Sequence, residues 1–140
     1  MKKTLLSLVV MIFAVTAMAQ QKQPAQVAAT GPQIVFEETE FNFGDIHQGD
    51  KVEHTFVFKN AGTAPLVLSN VMTTCGCTAP TWPRNEAIAP GQTGEISVVF
   101  NSAHKMGAQN KVITVISNAV NDNEKIRLVG NILPAKTDTK

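Results

Sequence analysis

The chain has 140 residues, of which 44% are hydrophobic and 16% charged, and its formal net charge is +1. A charge this close to zero, without a cluster of lysine or arginine, argues against nucleic-acid binding and against electrostatic docking on a membrane. The length suits one domain with a single two-layer core.

The N-terminus has the pattern of a secretory signal peptide. Lys2 and Lys3 precede an apolar run at residues 5–15 that contains no acidic residue. The run is too short to span a bilayer comfortably, and the sequence Ala-Met-Ala at 17–19 is a small-x-small cleavage pattern. We therefore expect a signal peptide over residues 1–19, a periplasmic or secreted mature protein, and no membrane span after cleavage. An uncleaved membrane anchor is the alternative.

Composition divides the rest of the chain into three parts. Residues 20–31 are rich in Gln, Ala and Pro with almost no large apolar side chain, so they are predicted to be a flexible tether. Residues 134–140 are equally polar and are predicted to be a loose tail. The intervening segment, 32–133, has the size of one domain.

Short runs of alternating apolar side chains, separated by turn residues, predict an all-β domain. The clearest run ends at Asn60 and places Val52, His54, Phe56 and Phe58 on one face of a strand. The runs lie at residues 33–36, 40–46, 52–60, 65–72, 94–101, 111–117 and 125–132. No segment has a convincing pattern of an amphipathic helix.

Seven to eight strands without a helix predict an immunoglobulin-like antiparallel β-sandwich, with an eight-stranded closed barrel as the alternative. The stretch from Met72 to Ile88 contains Pro80 and Pro83, which cannot donate ladder hydrogen bonds. It is therefore predicted to be a loop that crosses between sheets or runs along an edge, which favours the sandwich. The predicted inward-facing residues are Phe41, Phe43, Val52, Phe56, Phe58, Leu66, Leu68, Ile96, Val98, Phe100, Val112, Thr114, Ile116, Ile126 and Leu128.

Three segments carry a resemblance to a known family: FNFGDI at 41–46, HTFVFKNAG at 54–62 and CGCT at 75–78. Over residues 36–132 the chain resembles domain-of-unknown-function family 1573, an exported bacterial branch of the Ig-like domains that is common in Bacteroides-type organisms. The resemblance implies the sandwich fold and export. It implies no activity.

Cys75 and Cys77, separated only by Gly76, are a feature that a plain scaffold does not need. An oxidising compartment favours a disulfide between them, and glycine would permit the bent backbone of so short a bridge. The bridge would close a very small loop and add little stability. A strained or exposed bond is readily reduced, so thiol-redox activity is the second interpretation.

The third interpretation is capture of a soft metal. Thiolates of Cys75 and Cys77, joined by Met72, Met106 or a histidine such as His104, would suit Cu(I). Two cysteines alone cannot complete a closed zinc site, so zinc would require a histidine to converge on them.

The histidines and the tryptophan have simpler interpretations. His54 alternates with core phenylalanines and is predicted to be a hydrogen-bonded packing residue. His47 and His104 fall in predicted turns and are expected to be solvated. Trp82 is predicted to cap the open end of the sandwich, because tryptophan is usually well buried; display of a recognition surface is the alternative.

No nucleophile elbow, zinc-protease motif, phosphate loop or dinucleotide fingerprint occurs in the sequence, so we predict no catalytic residue and no cofactor. We expect a non-catalytic binding or structural module of the bacterial envelope, which meets a protein or another envelope component through its loops or a strand edge. The alternative is an envelope thiol-redox or copper-handling protein that uses Cys75 and Cys77. The sequence identifies no ligand.

Overall fold

The computed structural model describes residues 30–137 of the chain. This range contains eight β-strands, joined by turns and loops, and no helix. The strands are β1 (Ile34–Phe36), β2 (Glu40–His47), β3 (Lys51–Asn60), β4 (Leu68–Thr73), β5 (Thr78–Thr81), β6 (Thr93–Asn101), β7 (Gly107–Ser117) and β8 (Glu124–Leu133). Within this range no helix is long and apolar enough to cross a membrane.

The strands form two four-stranded sheets, which confirms the predicted sandwich. Sheet A has the order β1-β3-β6-β5 and sheet B the order β2-β8-β7-β4. All pairs are antiparallel except β2 with β8, which is parallel. Only residues 37–39 separate β1 from β2. The chain therefore steps from sheet A to sheet B without reversing its direction, and this detail departs from the all-antiparallel prediction.

The core lies between the two sheets and follows most of the predicted alternation. On β3, Phe56 and Phe58 are fully buried, as is Phe100 on β6. Burial of each such side chain contributes about 1.5–3 kcal/mol. Phe41 and Phe43 are half-buried and pack against the core. The other predicted inward residues that the structure buries are Val52, Leu66, Leu68, Ile96, Val98, Ile126 and Leu128.

The predicted facing of β7 is wrong. Val112, Thr114 and Ile116 lie on the outer face of sheet B, whereas Ile113 and Val115 are buried. Residues 112–116 are all apolar or β-branched, so alternation does not distinguish the two faces. The pairing with β8, which sets Ile113 opposite Ile126 of the core, decides which face is buried.

The predicted loop at 72–88 contains an additional strand, β5, at the edge of sheet A. Pro80 lies in this strand, and an edge is where a sheet tolerates proline. Residues 74–77 carry the chain from β4 in sheet B to β5 in sheet A, so the predicted crossing between sheets is confirmed.

The domain begins close to the end of the predicted tether. Gly31, the last residue of that segment, donates to Thr63 Oγ1 at 3.0 Å and accepts from Thr63 N at 2.8 Å. Residues 134–137 are exposed and have no regular structure. The predicted signal peptide, the tether up to residue 29 and residues 138–140 lie outside the described residues.

Candidate functional site

Residues 74–77, here called the arch, connect β4 to β5 and carry both cysteines. The Sγ atoms of Cys75 and Cys77 are bonded to each other, and their Cα atoms lie 5.3 Å apart. Both side chains are half-buried, and Cys77 packs against the core. The arch therefore presents one side to the core and the other to solvent.

Gly76 has a different role from the one expected. Its φ lies outside the left-handed region, so the bridge forms without a backbone conformation that requires glycine. A Cβ atom built on Gly76 would meet nothing within 4 Å. The residue is exposed, and its missing side chain leaves the solvent side of the arch uncovered.

Two threonines hold the arch from the core side. Thr73 Oγ1 lies 3.0 Å from the carbonyl oxygen of Cys75 and 3.3 Å from that of Thr78. Thr78 is buried, and its Oγ1 lies 3.7 Å from Cys75 Sγ and 3.9 Å from Cys77 Sγ. A hydroxyl can donate to sulfur, and it does so best when the sulfur is negatively charged.

Beside the arch is an open groove of about 540 Å³ that Cys77 lines together with Lys51, Asn101, His104 and Lys105. These residues come from β3, β6 and the turn after β6, so only the folded chain brings them together. No carboxylate lines the groove. His104 is exposed and adopts a φ of 59°, which is uncommon for a residue with a side chain.

A further lysine adds to the positive charge near this end of the molecule. Burial lowers the pKa of Lys111 below its ordinary value, and the positive charge of Lys105 lowers it further. Lys111 Nζ lies 5.6 Å from the centre of the Phe100 ring. A partly buried cation next to a second cation favours the approach of a negatively charged group.

The residues considered as metal ligands do not lie in one place. His104 and Cys77 line the groove, but Met72 projects from the outer face of sheet B and does not line it. Met72 and Met106 are 47% and 56% exposed. Among residues 30–137 no three His, Cys, Asp or Glu side chains are close enough to share a metal ion.

His54 is the packing histidine that the sequence predicts. Its ring stacks on Phe41 with centroids 3.7 Å apart and meets the edge of Phe56 at 4.7 Å. Its Nε2 lies 2.6 Å from Glu38 Oε1. His47 is the last residue of β2 rather than a turn residue.

Trp82 packs against the core from the connection between β5 and β6, in agreement with its predicted capping position. The guanidinium of Arg84 lies 4.0 Å from the centre of its ring. Its Nε1 is buried and has no acceptor among the described residues.

A second candidate site is a sheet edge, and three of the four edges are blocked. On β1, Asn121 Oδ1 accepts from Ile34 N at 3.1 Å, and Asn121 Nδ2 donates to Ile34 O at 2.8 Å. Val120 N donates to Pro32 O at 2.9 Å. The turn between β7 and β8 thus takes the backbone groups of Ile34, at the start of this three-residue strand.

The edge of β5 is blocked by other means. Asn101 N donates to Cys77 O at 2.9 Å, and alternation along the strand then turns the backbone of Thr78 and Pro80 toward the free side. Pro80 has no N–H to offer. Thr78 O accepts from Thr73 Oγ1, and Thr78 N points at Cys75 O 3.4 Å away. The arch and the proline together close this edge.

The edge of β2 is interrupted at its centre and occupied at its end. Its register shifts between Asn42 and Asp45, and Gly44 within this bulge has a φ of 68°. At the end of the strand, His47 N donates to Asp50 Oδ2 at 2.9 Å, and His47 O accepts from Ser102 Oγ at 3.1 Å. A bulge that bends the edge is a common protection against strand pairing.

The edge of β4 has a register shift between Leu68 and Asn70 near its start and is open beyond it. Among residues 30–137, no loop or side chain bonds to the backbone of residues 68–73 on the side away from β7. Ile88 covers only the preceding position, where Leu66 and Ile88 exchange two backbone hydrogen bonds of 2.8 and 2.9 Å. The strand, Leu-Ser-Asn-Val-Met-Thr, contains neither charge nor proline.

Sequence reasoning identified the cysteines and named Met72 only as a copper ligand, not as a residue of an open edge. It missed the groove lysines and the blocking role of Asn121. The segment 118–123, rich in Asn and Asp, has the composition of a turn, and nothing in it indicates that a side chain reaches β1. Pro80 was the available sign of a protected edge, since proline within a strand marks an edge position.

Comparison with known proteins supports the fold and the family resemblance. A family model described as protein of unknown function, DUF1573, matches residues 34–132. No curated protein is similar enough in sequence to be matched with the chain. Because the matched region is most of the chain, the resemblance drawn from the three motifs is confirmed.

Solved structures with similar folds come from bacteria and from humans. A protein of unknown function from Porphyromonas gingivalis W83 has a TM-score of 0.62 at 19% identity, over 79% of this chain and 51% of that protein. The chain thus spans about half the length of that protein. The ASH/PapD-like domain 7 of human CEP192 has a TM-score of 0.58 at 12% identity, over 74% of this chain and 87% of the domain. The secreted serine protease VesC from Vibrio cholerae has a TM-score of 0.57 at 16% identity, over 75% of this chain and 24% of the protease. At such low identities these likenesses show the fold alone.

Proposed function

The chain belongs to the DUF1573 family, and on that premise we propose that it is an exported, non-catalytic binding module of the bacterial envelope that accepts an extended segment of a partner protein at β4. The observation that carries the proposal is the contrast between the open edge of β4 and the three blocked edges. The family and the fold give no sign of catalysis.

An unprotected edge strand is unusual, because its free N–H and C=O groups are a template for pairing with another chain. On β1, β5 and β2, backbone groups are bonded to loops or side chains, whereas β4 has only a register shift between Leu68 and Asn70. Strand addition is a common way in which β-domains recruit partners, with backbone hydrogen bonds that supply affinity. Because the other three edges are protected, the open edge of β4 is better explained by a binding role than by an absence of edge protection throughout the domain.

The surroundings of β4 indicate the chemistry of the partner segment. Met72 lies beside Thr114 on the outer face of sheet B, and Ile116 lies beside Asn70. The outer face of sheet A carries Lys51, Glu53, Lys59 and Glu95, but β4 has no charge. An extended segment with apolar side chains at alternate positions would find apolar contacts here without leaving a charge unpaired.

Site-specific photo-cross-linking in cells tests the proposal. Benzoylphenylalanine at Asn70, which is exposed on the open edge, is expected to capture a defined partner through an extended segment. The same group at Thr81, which is exposed on the blocked edge of β5 and does not line the groove beside Cys77, is the matched control and should capture none. Met72→Lys should remove the product from position 70, because a lysine protects an edge against strand pairing.

Two results would count against the proposal. One is equal cross-linking from positions 70 and 81. The other is turnover of a substrate by the purified protein that a single substitution abolishes. A product of twice the chain's mass would identify the partner as a second copy of this chain instead of another protein.

Export is part of the proposal. It is supported by Lys2 and Lys3, by the apolar run at residues 5–15 and by the Ala-Met-Ala sequence at 17–19. N-terminal sequencing of the protein recovered from the periplasm or medium should begin at Gln20. Recovery of the intact precursor from the cytosol would contradict it.

The alternative, an envelope thiol-redox or copper-handling protein, concerns the arch. The copper version has the weaker support, because the two sulfur atoms are bonded to each other and Met72 lies on another face of the molecule. A titration of the reduced protein with Cu(I) tests it directly: stoichiometric binding that Cys75→Ser/Cys77→Ser abolishes would favour it. The thiol version has specific support from the groove beside Cys77.

A further inference from the structure

We infer that the Cys75–Cys77 disulfide is a thiol-exchange site that selects thiols carrying a negative charge, such as a thiol with a neighbouring carboxylate. The inference names a substrate class for the thiol-redox alternative, and it is independent of strand binding at β4. Failure of either proposal would leave the other intact, because the two use different residues.

Access to the disulfide comes from the groove. Cys77 lines it, and Gly76, which also lines it, has no side chain to cover the sulfur atoms. A structural disulfide is usually buried among apolar side chains, whereas an exposed one is the labile kind. Here both cysteines are only half-buried.

The charge of the groove supplies the selectivity. Lys51 and Lys105 line it and no carboxylate does. Neither lysine forms a salt bridge within residues 30–137. Cations in a concave site raise the local concentration of anions. A thiolate is the attacking species, and a carboxylate on the same molecule adds a second group for the lysines to attract.

A tight turn places His104 and Lys105 at the groove. Lys105 N donates to Ser102 O at 3.0 Å, and His104, the third residue of this turn, has a φ of 59°. Both residues line the groove.

The exchange proceeds in two steps. The thiolate of the substrate attacks Cys77 Sγ, the new S–S bond forms as the Cys75–Cys77 bond breaks, and the electron pair departs on Cys75 Sγ as a thiolate. A second substrate thiolate then attacks the sulfur of the bound substrate, and the electron pair leaves on Cys77 Sγ. Two substrate thiols are oxidised to one disulfide, and the protein's disulfide is reduced to two thiols, which take up the two protons.

Thr78 is placed to assist the first step. Its buried Oγ1 lies 3.7 Å from Cys75 Sγ, and a hydroxyl that donates to the departing thiolate stabilises it. This assigns a positioning and donor role to the threonine that ends the Cys-Gly-Cys-Thr sequence.

The test measures reduction of the purified, disulfide-bonded protein by three small thiols: 3-mercaptopropionate, which is anionic, 2-mercaptoethanol, which is neutral, and cysteamine, which is cationic. Samples are quenched with an alkylating reagent, and two adducts by intact mass report reduction. Each rate is divided by that of a synthetic peptide of residues 73–80 with the same bridge, so that the intrinsic reactivity of each thiol cancels.

The normalised rate with the anionic thiol should exceed that with the cationic thiol by about fivefold, as expected for two partly exposed ion pairs. The preference should fall toward one in Lys51→Gln/Lys105→Gln and at high salt. Lys59→Gln/Lys125→Gln makes the same charge change away from the groove and should retain the preference. A wild-type ratio near one, or an equal preference in both double variants, would overturn the inference.

A separate pair of variants tests the role of Thr78. Thr78→Val keeps the shape of the side chain but removes the hydroxyl, and it should slow reduction by all three thiols about tenfold; Thr78→Ser should restore the rate. Circular dichroism establishes that the variants fold. If Thr78→Val folds and reacts at the wild-type rate, the assignment of Thr78 is wrong.

Discussion

The ring of Phe43 on β2 occupies the space beside Gly130 on β8 that any other residue would need for its side chain. A Cβ atom built on Gly130 would lie 2.3 Å from two carbons of that ring. The same ring lies 5.7 Å from the ring of Phe100 in sheet A. Glycine at this position lets a half-buried phenylalanine close the core beside the parallel pair of strands.

Gly130→Ala is therefore expected to destabilise the protein. The added methyl group forces Phe43 away from Phe100, and overpacking of this kind costs about 1–3 kcal/mol. Urea unfolding measures the loss. Gly76→Ala, where a Cβ would meet nothing within 4 Å, is the matched control and should cost less than about 0.5 kcal/mol. Equal effects at the two glycines would show that Phe43 does not depend on the space at Gly130.

Asn60→Asp should destabilise the protein more than Gly130→Ala does, because Asn60 is fully buried and both hydrogens of its amide group are used in hydrogen bonds. Its Nδ2 donates to Ala64 O at 2.8 Å and to Ile88 O at 2.9 Å. A carboxylate oxygen in this place would face two carbonyl oxygens without a donor. We expect a loss of about 3–5 kcal/mol, by analogy with breaking a buried polar pair.

The matched control is Asn110→Asp, on the exposed outer face of β7, which should change the free energy of unfolding by less than about 0.5 kcal/mol. Thermal melts of the two variants make the comparison. A stable Asn60→Asp variant would mean that this end of β3 rearranges to solvate the new charge.

Two isoleucines on β7 test which face of the strand is buried. Ile113 is fully buried and Ile116 lies on the outer face. Ile113→Ala should cost about 2–5 kcal/mol through lost burial and the cavity left behind, while Ile116→Ala should cost at most about 1 kcal/mol. If the larger loss falls on Ile116, the strand has the facing that its sequence pattern suggested.

Lys111 provides a prediction of pH dependence. Because burial and Lys105 lower its pKa in the folded state, the unfolded chain holds this proton more tightly. The lowered pKa therefore reduces the free energy of unfolding. This reduction is complete at neutral pH and disappears as the pH rises through the lowered pKa toward 10.5, the ordinary value.

Lys111→Met, which keeps an apolar stem, should therefore raise the melting temperature at pH 7, and the gain over the wild type should shrink as pH approaches 10. Lys125→Met, at an exposed position on β8, should stay within about 0.5 kcal/mol of the wild type at pH 7. A Lys111→Met variant that melts below the wild type at pH 7 would show that the contact with the Phe100 ring outweighs the burial of the charge.

Much of the fold was accessible to sequence reasoning, because strands with one buried face show it in their alternation. Phe56, Phe58 and Phe100 were identified correctly for this reason. The same reasoning failed for β7, whose two faces are both apolar, and for β5, which is too short and too rich in polar residues and proline to produce a period. The Cys-Gly-Cys-Thr sequence was visible, but the reason for its threonine was not.

By itself, the sequence determined that this chain forms two β-layers and which side chains of β3 and β6 lie between them, since burial of alternate side chains is a local property of each strand. Only the tertiary structure decided which sheet edge stays open and which charges surround the disulfide. Asn121 reaches Ile34 across 87 positions of the chain, and Lys51 shares a groove with Cys77 through strand pairing. Both relationships join segments that are far apart in the chain, so they depend on how distant strands pair and not on the residues of either segment alone.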